Sequence, residues 1–321
     1  MIKSVLAAVV AIALIVWAFM VRTRFIEGDD TTPVPTGSAE PVRPPDAELR
    51  VACDALLAQS CPPGSSRLDL TELLAAFEAQ PIAYDALIAP TVVVDVIEQS
   101  RTSRARFDAN RAILATTPLV LAVSVSRDEL VASACGQAVT WSCAADLVQE
   151  TSLTLATADP QDDTEGIAAV AAMTGGFLDT SAYTTNSLGG GGFLDWVDVL
   201  SDQTQISSTP VQQLIQFGGA RNDSAVTTEA TGLTQVRRAA QNVPDLFWPT
   251  PLASLQIVAV AVDGADQAAV DTIGQQTAAL LSEQGWRGPD GQPATEGPPL
   301  DLDDDGLPSG GTLFTLRDRL S

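Results

Sequence analysis

The sequence contains no histidine in 321 residues. That excludes a Ser-His-Asp triad, a Cys-His nucleophile pair and every histidine-ligated zinc or iron site. Carboxylate, hydroxyl and thiol chemistry remain. Lysine is almost as scarce: Lys3 is the only one, and the other basic residues are arginines. With 17 basic against 40 acidic residues the formal net charge is -23. Such a chain lacks the basic footprint that nucleic acid requires, and an anionic membrane surface repels it. Cysteine is limited to Cys53, Cys61, Cys135 and Cys143, two pairs with seven residues between the members of each. Zinc pairs usually stand closer and a redox motif needs two intervening residues. The spacing reads as two local disulfides, Cys53–Cys61 and Cys135–Cys143, with four buried reduced thiols as the other reading. Disulfides imply an oxidising compartment.

Hydrophobic residues make up 45% of the chain, enough for a substantial core. Residues 4–21, SVLAAVVAIALIVWAFMV, run for 18 positions without a charge. That is close to the lower limit for spanning hydrocarbon. The following MVRTRF offers neither a small-residue cleavage site nor a lipidated cysteine, which points to an uncleaved signal anchor over residues 1–26. Arginines on both sides leave the positive-inside rule undecided. The acidic residues and cysteines that follow place the N-terminus in the cytoplasm and the bulk of the chain outside, as a single-pass cell-membrane protein. Residues 27–48, EGDDTTPVPTGSAEPVRPPDAE, form a proline-, threonine- and acid-rich linker that reads as disordered.

Strand and helix patterns alternate beyond the linker, which predicts an α/β fold. LRVACDALL is strand-like. Residues 69–80 have helical spacing, with Leu70, Leu73, Leu74 and Phe77 on one face. Short apolar runs at 84–89, 118–126, 153–158 and 255–262 read as strands. Residues 92–97, 127–134, 166–173, 193–200, 210–216 and 266–284 read as helices.

The order of several segments resembles bacterial extracellular solute-binding proteins of the type 2 periplasmic-binding kind. These are YDALIAPT, ILATTPLVLAVS, VTWSCAADL, LATADPQDDTEGIAAVAAM, AVTTEATGL and the long IVAVAVDGADQAAVDTIGQQTAALLSEQGWRGPDGQPA. The versions most alike occur in actinobacterial membrane proteins, some of them fused to von Willebrand A domains. The resemblance spans about residues 50–295 and implies a solute-binding-like domain over 49–295, with two α/β lobes, crossing strands and a ligand cleft. Residues 296–321 then form an acidic C-terminal tail. CDALLAQSC stands where relatives carry a small, serine-rich ligand loop, which leaves the first lobe's half of the site undefined.

The resemblance implies two cleft-lining segments. One centres on Asp163, Thr164 and Glu165, the other on Thr228 and Glu229, with facing walls of one site expected. Each also reads as helix capping without a ligand. Asp162, Asp163 and Glu165 beside a helix start would occupy its free N–H groups and repel an oxyanion such as molybdate, sulfate or phosphate. A neutral polar or cationic solute suits such a lining better. The glycine-rich SLGGGGF lacks a phosphate loop's lysine and reads as a connection. Asp301, Asp303 and Asp305 resemble half of a calcium loop, but Thr312 stands where its closing glutamate belongs, so a solvated tail is the plainer reading. No cofactor or metal site is expected. The expected function is a non-catalytic, membrane-anchored solute-binding protein or a receptor derived from one, with an envelope or transporter protein as possible partner. The competing expectation is a cell-envelope interaction or structural protein whose solute-binding fold has degenerated.

Overall fold

The computed structural model describes residues 49–100, 107–108, 111–136, 138–293 and 297–320. Glu48–Ser321 form one compact unit. The expected anchor and linker, residues 1–26 and 27–48, lie outside the described residues. Among the described residues no helix is long and apolar enough to cross a membrane.

A single twisted sheet of nine strands carries two lobes. The strands are β1 (Val51–Asp54), β2 (Ser66–Leu68), β3 (Ala86–Pro90), β4 (Ile113–Val123), β5 (Leu155–Thr157), β6 (Thr204–Ile206), β7 (Ser224–Thr228), β8 (Asp245–Phe247) and β9 (Ser254–Ala261). Their order is β2-β1-β3-β9-β4-β7-β5-β6, with β8 also on β4. β4 joins the halves. Ile113 to Pro118 pair antiparallel with β9 in the first lobe, whereas Leu119 to Val123 pair antiparallel with β7 in the second. The change of partner falls at Pro118, a residue without an N–H to give to a ladder. The apolar run at 118–126 therefore marks only the second half of this strand.

Ten helices cover the sheet among the described residues: α1 (Leu70–Glu78), α2 (Thr91–Ser100), α3 (Asp128–Cys135), α4 (Trp141–Gln149), α5 (Thr164–Phe177), α6 (Gly191–Gln203), α7 (Pro210–Phe217), α8 (Glu229–Arg238), α9 (Gln267–Glu283) and α10 (Gly310–Arg319). α1 forms as its pattern predicts. Asp69 accepts from the Glu72 N–H and Glu72 answers to the Asp69 N–H, a reciprocal cap that fixes the start. Leu70, Leu73, Leu74 and Phe77 are its buried face. Each such side chain contributes about 1.5–3 kcal/mol on leaving water. α5 is different: 13 of its 14 residues are buried, so it has no polar face at all.

Both expected disulfides are present, Cys53–Cys61 and Cys135–Cys143. The first ties the end of β1 to the loop that follows it. The second ties α3 to α4, the segment VTWSCAADL.

The C-terminal segment departs from expectation. Residues 297–320 are not a solvated tail. Leu300 and Leu307 are buried, and α10 inserts Leu313 and Leu316 into the main core. The reason is compositional. Exposed Asp301, Asp303 and Asp304 give the segment its acidic look, while the leucines between and beyond them do the packing. The carboxylates of Asp301, Asp304 and Asp305 accept from the backbone N–H groups of Asp303, Gly306 and Leu307 and shape a turn. Among the described residues no group of three acidic or thiol side chains is arranged to hold a metal ion.

Candidate functional site

The two lobes meet where β1 and α1 of the first face the 158–164 loop and α5 of the second. β1 ends at Asp54, and its side chain turns back on the chain. One carboxylate oxygen accepts from the Leu56 N–H at 2.9 Å and caps the tight turn Ala55–Leu57. The other accepts from the Thr164 hydroxyl at 2.7 Å, a direct bond between the lobes. Asp54 is 1% exposed. Burial pushes its carboxyl up to about 7, against the pull of the bonds from Thr164 and Leu56.

The second lobe contributes the Asp-Pro loop. Asp159 accepts from the Gln161 N–H at 2.9 Å. Asp163 caps α5, accepting from the N–H groups of Glu165 at 2.7 Å and Gly166 at 3.4 Å. Its carboxyl is held above the usual range, chiefly by burial. Asp162 reaches across to the first lobe: its carbonyl accepts from the Leu70 N–H at 2.9 Å and its side chain from the Thr71 hydroxyl at 2.8 Å. Gly166 is required here, because a Cβ would lie 2.5 Å from the Ala158 carbonyl oxygen.

These elements line an open cavity of about 350 Å³. Asp54, Asp69, Asp159, Asp162 and Asp163 line it, together with Leu56, Thr164 and Ile206, and no basic side chain does. A second cavity, of about 700 Å³, lies beyond the Ala55–Leu57 turn between α8 and the end of α9. Arg237, Arg238, Glu283 and Trp286 are among its walls.

The residues singled out from sequence are divided between these places. Asp163 and Thr164 line the acidic cavity. Glu165 turns into the second lobe, where it accepts from the Thr227 hydroxyl at 2.7 Å; burial, with Asp163 adding, pushes its carboxyl up to about 7. Thr228 caps α8, accepting from the Thr231 N–H at 3.4 Å. Glu229 borders the second cavity, but its carboxylate is engaged within the protein. Arg287 donates to it through two nitrogens, at 2.7 and 2.6 Å, and the Trp248 indole N–H donates at 2.7 Å. The two segments therefore do not share one cavity. Of the three acids expected to occupy the α5 N-terminus, Asp163 does so; Glu165 and Asp162 face elsewhere. Asp54 and Asp69 went unnoticed in the sequence. Asp69 carried a signal, the D-L-T-E capping pattern. Asp54 carried none.

No family model and no curated protein matches this sequence. Solved structures do resemble it. An ABC transporter protein from Clostridium perfringens superposes with a TM-score of 0.56 at 12% identity, covering 85% of this chain and 97% of its own. Iron-bound HitA from Pseudomonas aeruginosa gives 0.55 at 13% identity, covering 84% and 96%. The periplasmic binding protein AfuA from Actinobacillus pleuropneumoniae, with fructose-6-phosphate bound, gives 0.53 at 14% identity, covering 84% and 92%. The described region thus has the two-lobed fold of type 2 periplasmic binding proteins. At these identities it is the fold that is shared.

Proposed function

We propose that this protein is a membrane-anchored, extracytoplasmic, non-catalytic solute-binding protein, and that its solute is a small organic cation or a neutral polar molecule. The observation that carries the reading is the interlobe cavity, lined by five aspartates and no cation. A cation placed there gains from every ionised wall group, and an oxyanion is repelled by each. Location outside the cytoplasm is supported by the two disulfides, and anchoring by the apolar stretch at 4–21. Proteins of similar fold include one with fructose-6-phosphate bound and one with iron bound.

A thermal-shift screen of the full-length chain in detergent micelles tests this. Amines, amino acids, sugars, metal ions and oxyanions would be compared. A ligand at a hundredfold excess over its Kd adds about 2.7 kcal/mol, which raises the melting temperature of a domain this size by a few degrees. Organic cations should give that rise, and molybdate, sulfate and phosphate should give none. Tight sulfate or molybdate binding would overturn the electrostatic argument. No rise with any compound would favour the second reading, a cell-envelope interaction protein with a degenerate cleft. That reading has its own support, since the Asp54–Thr164 and Leu70–Asp162 bonds already engage polar groups of the cleft.

A further inference from the structure

The acidic cavity poses a mechanical problem. Asp69 approaches it from α1 in the first lobe, and Asp159, Asp162 and Asp163 approach from the second. As these groups ionise, their repulsion acts to part the walls. The Leu70–Asp162 and Thr164–Asp54 bonds resist, but they are ordinary in strength.

A cation from a distant part of the chain reaches Gln161 and Thr71, neighbours of the wall residue Asp162 and of Leu70 on α1. Arg317, on α10, donates from Nε to the Gln161 carbonyl at 2.8 Å and from Nη2 to the Thr71 hydroxyl at 2.5 Å. The Gln161 side-chain amide returns a bond to the Arg317 carbonyl at 2.8 Å. Thr71, accepting from Arg317, donates its own hydroxyl hydrogen bond to Asp162 at 2.8 Å. One guanidinium therefore joins the second lobe's loop to the first lobe's α1. The helix that carries it is firmly seated on the first lobe. α10 packs along α2 and also touches α5. Gly310 approaches the Asp95–Val96 backbone so closely that a Cβ would lie 2.6 Å from it, and Leu313 and Leu316 are buried.

We propose that Arg317 is a positioning residue and α10 a strap: the C-terminal helix holds the 159–163 loop against α1 and keeps the walls of the acidic cavity together. Release of a solute then requires the Arg317 fork to let go. This deepens the solute-binding reading and rests on it for its biological meaning, but its test needs no solute.

The test is hydrogen–deuterium exchange on the full-length chain in detergent micelles, comparing wild type with R317Q and R319Q. Arg319 lies exposed on the same helix and serves as the control. In R317Q, protection of segments 68–72 and 159–166 should fall about tenfold, the scale of one lost charge-assisted hydrogen bond. R319Q should match wild type, and β9 and the middle of α5 should be unchanged in both. About 1 M NaCl, which shortens the screening length to about 3 Å, should restore most of the lost protection, because repulsion between the walls drives the opening. Wild-type protection of both segments in R317Q would overturn the proposal. So would a loss spread evenly through β9 and α5, or a local loss that salt leaves untouched. A negative solute screen with these exchange results intact would fault the solute reading alone.

Discussion

Replacing Arg287 by Met should lower the melting temperature by about 10 °C or more. Arg287 and Glu229 are 1% and 3% exposed at their side chains, and the guanidinium also donates to the carbonyls of Gly291 and Pro298. Removing one partner of such a pair leaves a buried carboxylate without its counter-charge, which costs about 3–5 kcal/mol. In a domain of this size each kcal/mol moves the melting temperature by about 2–4 °C. The double variant R287M/E229Q should lose less than R287M alone. Its glutamine carries no charge and can still accept from the Trp248 indole. Melting curves of R287M, E229Q and the double variant decide the matter; losses that simply add would show that the pair is not coupled.

A second large effect should come from pH. The carboxyl groups of Asp54 and Glu165 are raised by burial to about 7 in the folded protein, from ordinary values of 3.8 and 4.5. Between those limits the folded state holds protons that the unfolded chain has released. Stability is therefore greatest at the acidic end and is lost as pH rises through about 4 to 7, levelling off above. Asp305, raised by burial to about 6, acts in the same direction. With each tenfold change in a proton equilibrium worth about 1.4 kcal/mol, the combined loss is several kcal/mol. The melting temperature at pH 8 should lie on the order of 10 °C below that at pH 5. D54N/E165Q should flatten the profile, because neither amide has a proton to lose. The amide oxygen at position 54 can accept from the Leu56 N–H while its NH2 donates to the Thr164 hydroxyl, and the amide oxygen at position 165 can accept from Thr227. A wild-type melting temperature that is level or rises over this range would contradict the assignment of these groups as buried acids.

Local pattern carried much of the fold. The face of α1, the strands β3 and β9 and the extent of α9 all follow from spacing and capping. Where both faces of an element are buried, the pattern has nothing to alternate with. α5 shows this, since its apolar residues surround it and only its middle was legible. The three-residue strands β2, β6 and β8 are too short to carry a period. The site was harder still, because its contacts are set by register and not by neighbours in sequence. Asp54 and Thr164 stand 110 positions apart, Glu229 and Arg287 58, and Gln161 and Arg317 156. The passage of β4 from one lobe to the other and the packing of α10 bring such positions together. The C-terminal segment misled for a related reason: its aspartates dominate the composition, and its leucines decide the structure.

On this proposal the aspartate-lined cavity holds a cationic or polar solute. Isothermal titration of the best organic cation from the screen into wild type and D69N/D163N tests it most directly. Asp69 and Asp163 both cap helices, and asparagine caps as well as aspartate, so the unliganded melt should scarcely change. Two of the five wall carboxyl groups would nevertheless be gone. At an effective dielectric of about 20, each charge within a few ångströms of a cation is worth enough that Kd should rise at least about tenfold. An unchanged Kd in a variant that melts like wild type would place the binding elsewhere and contradict the account.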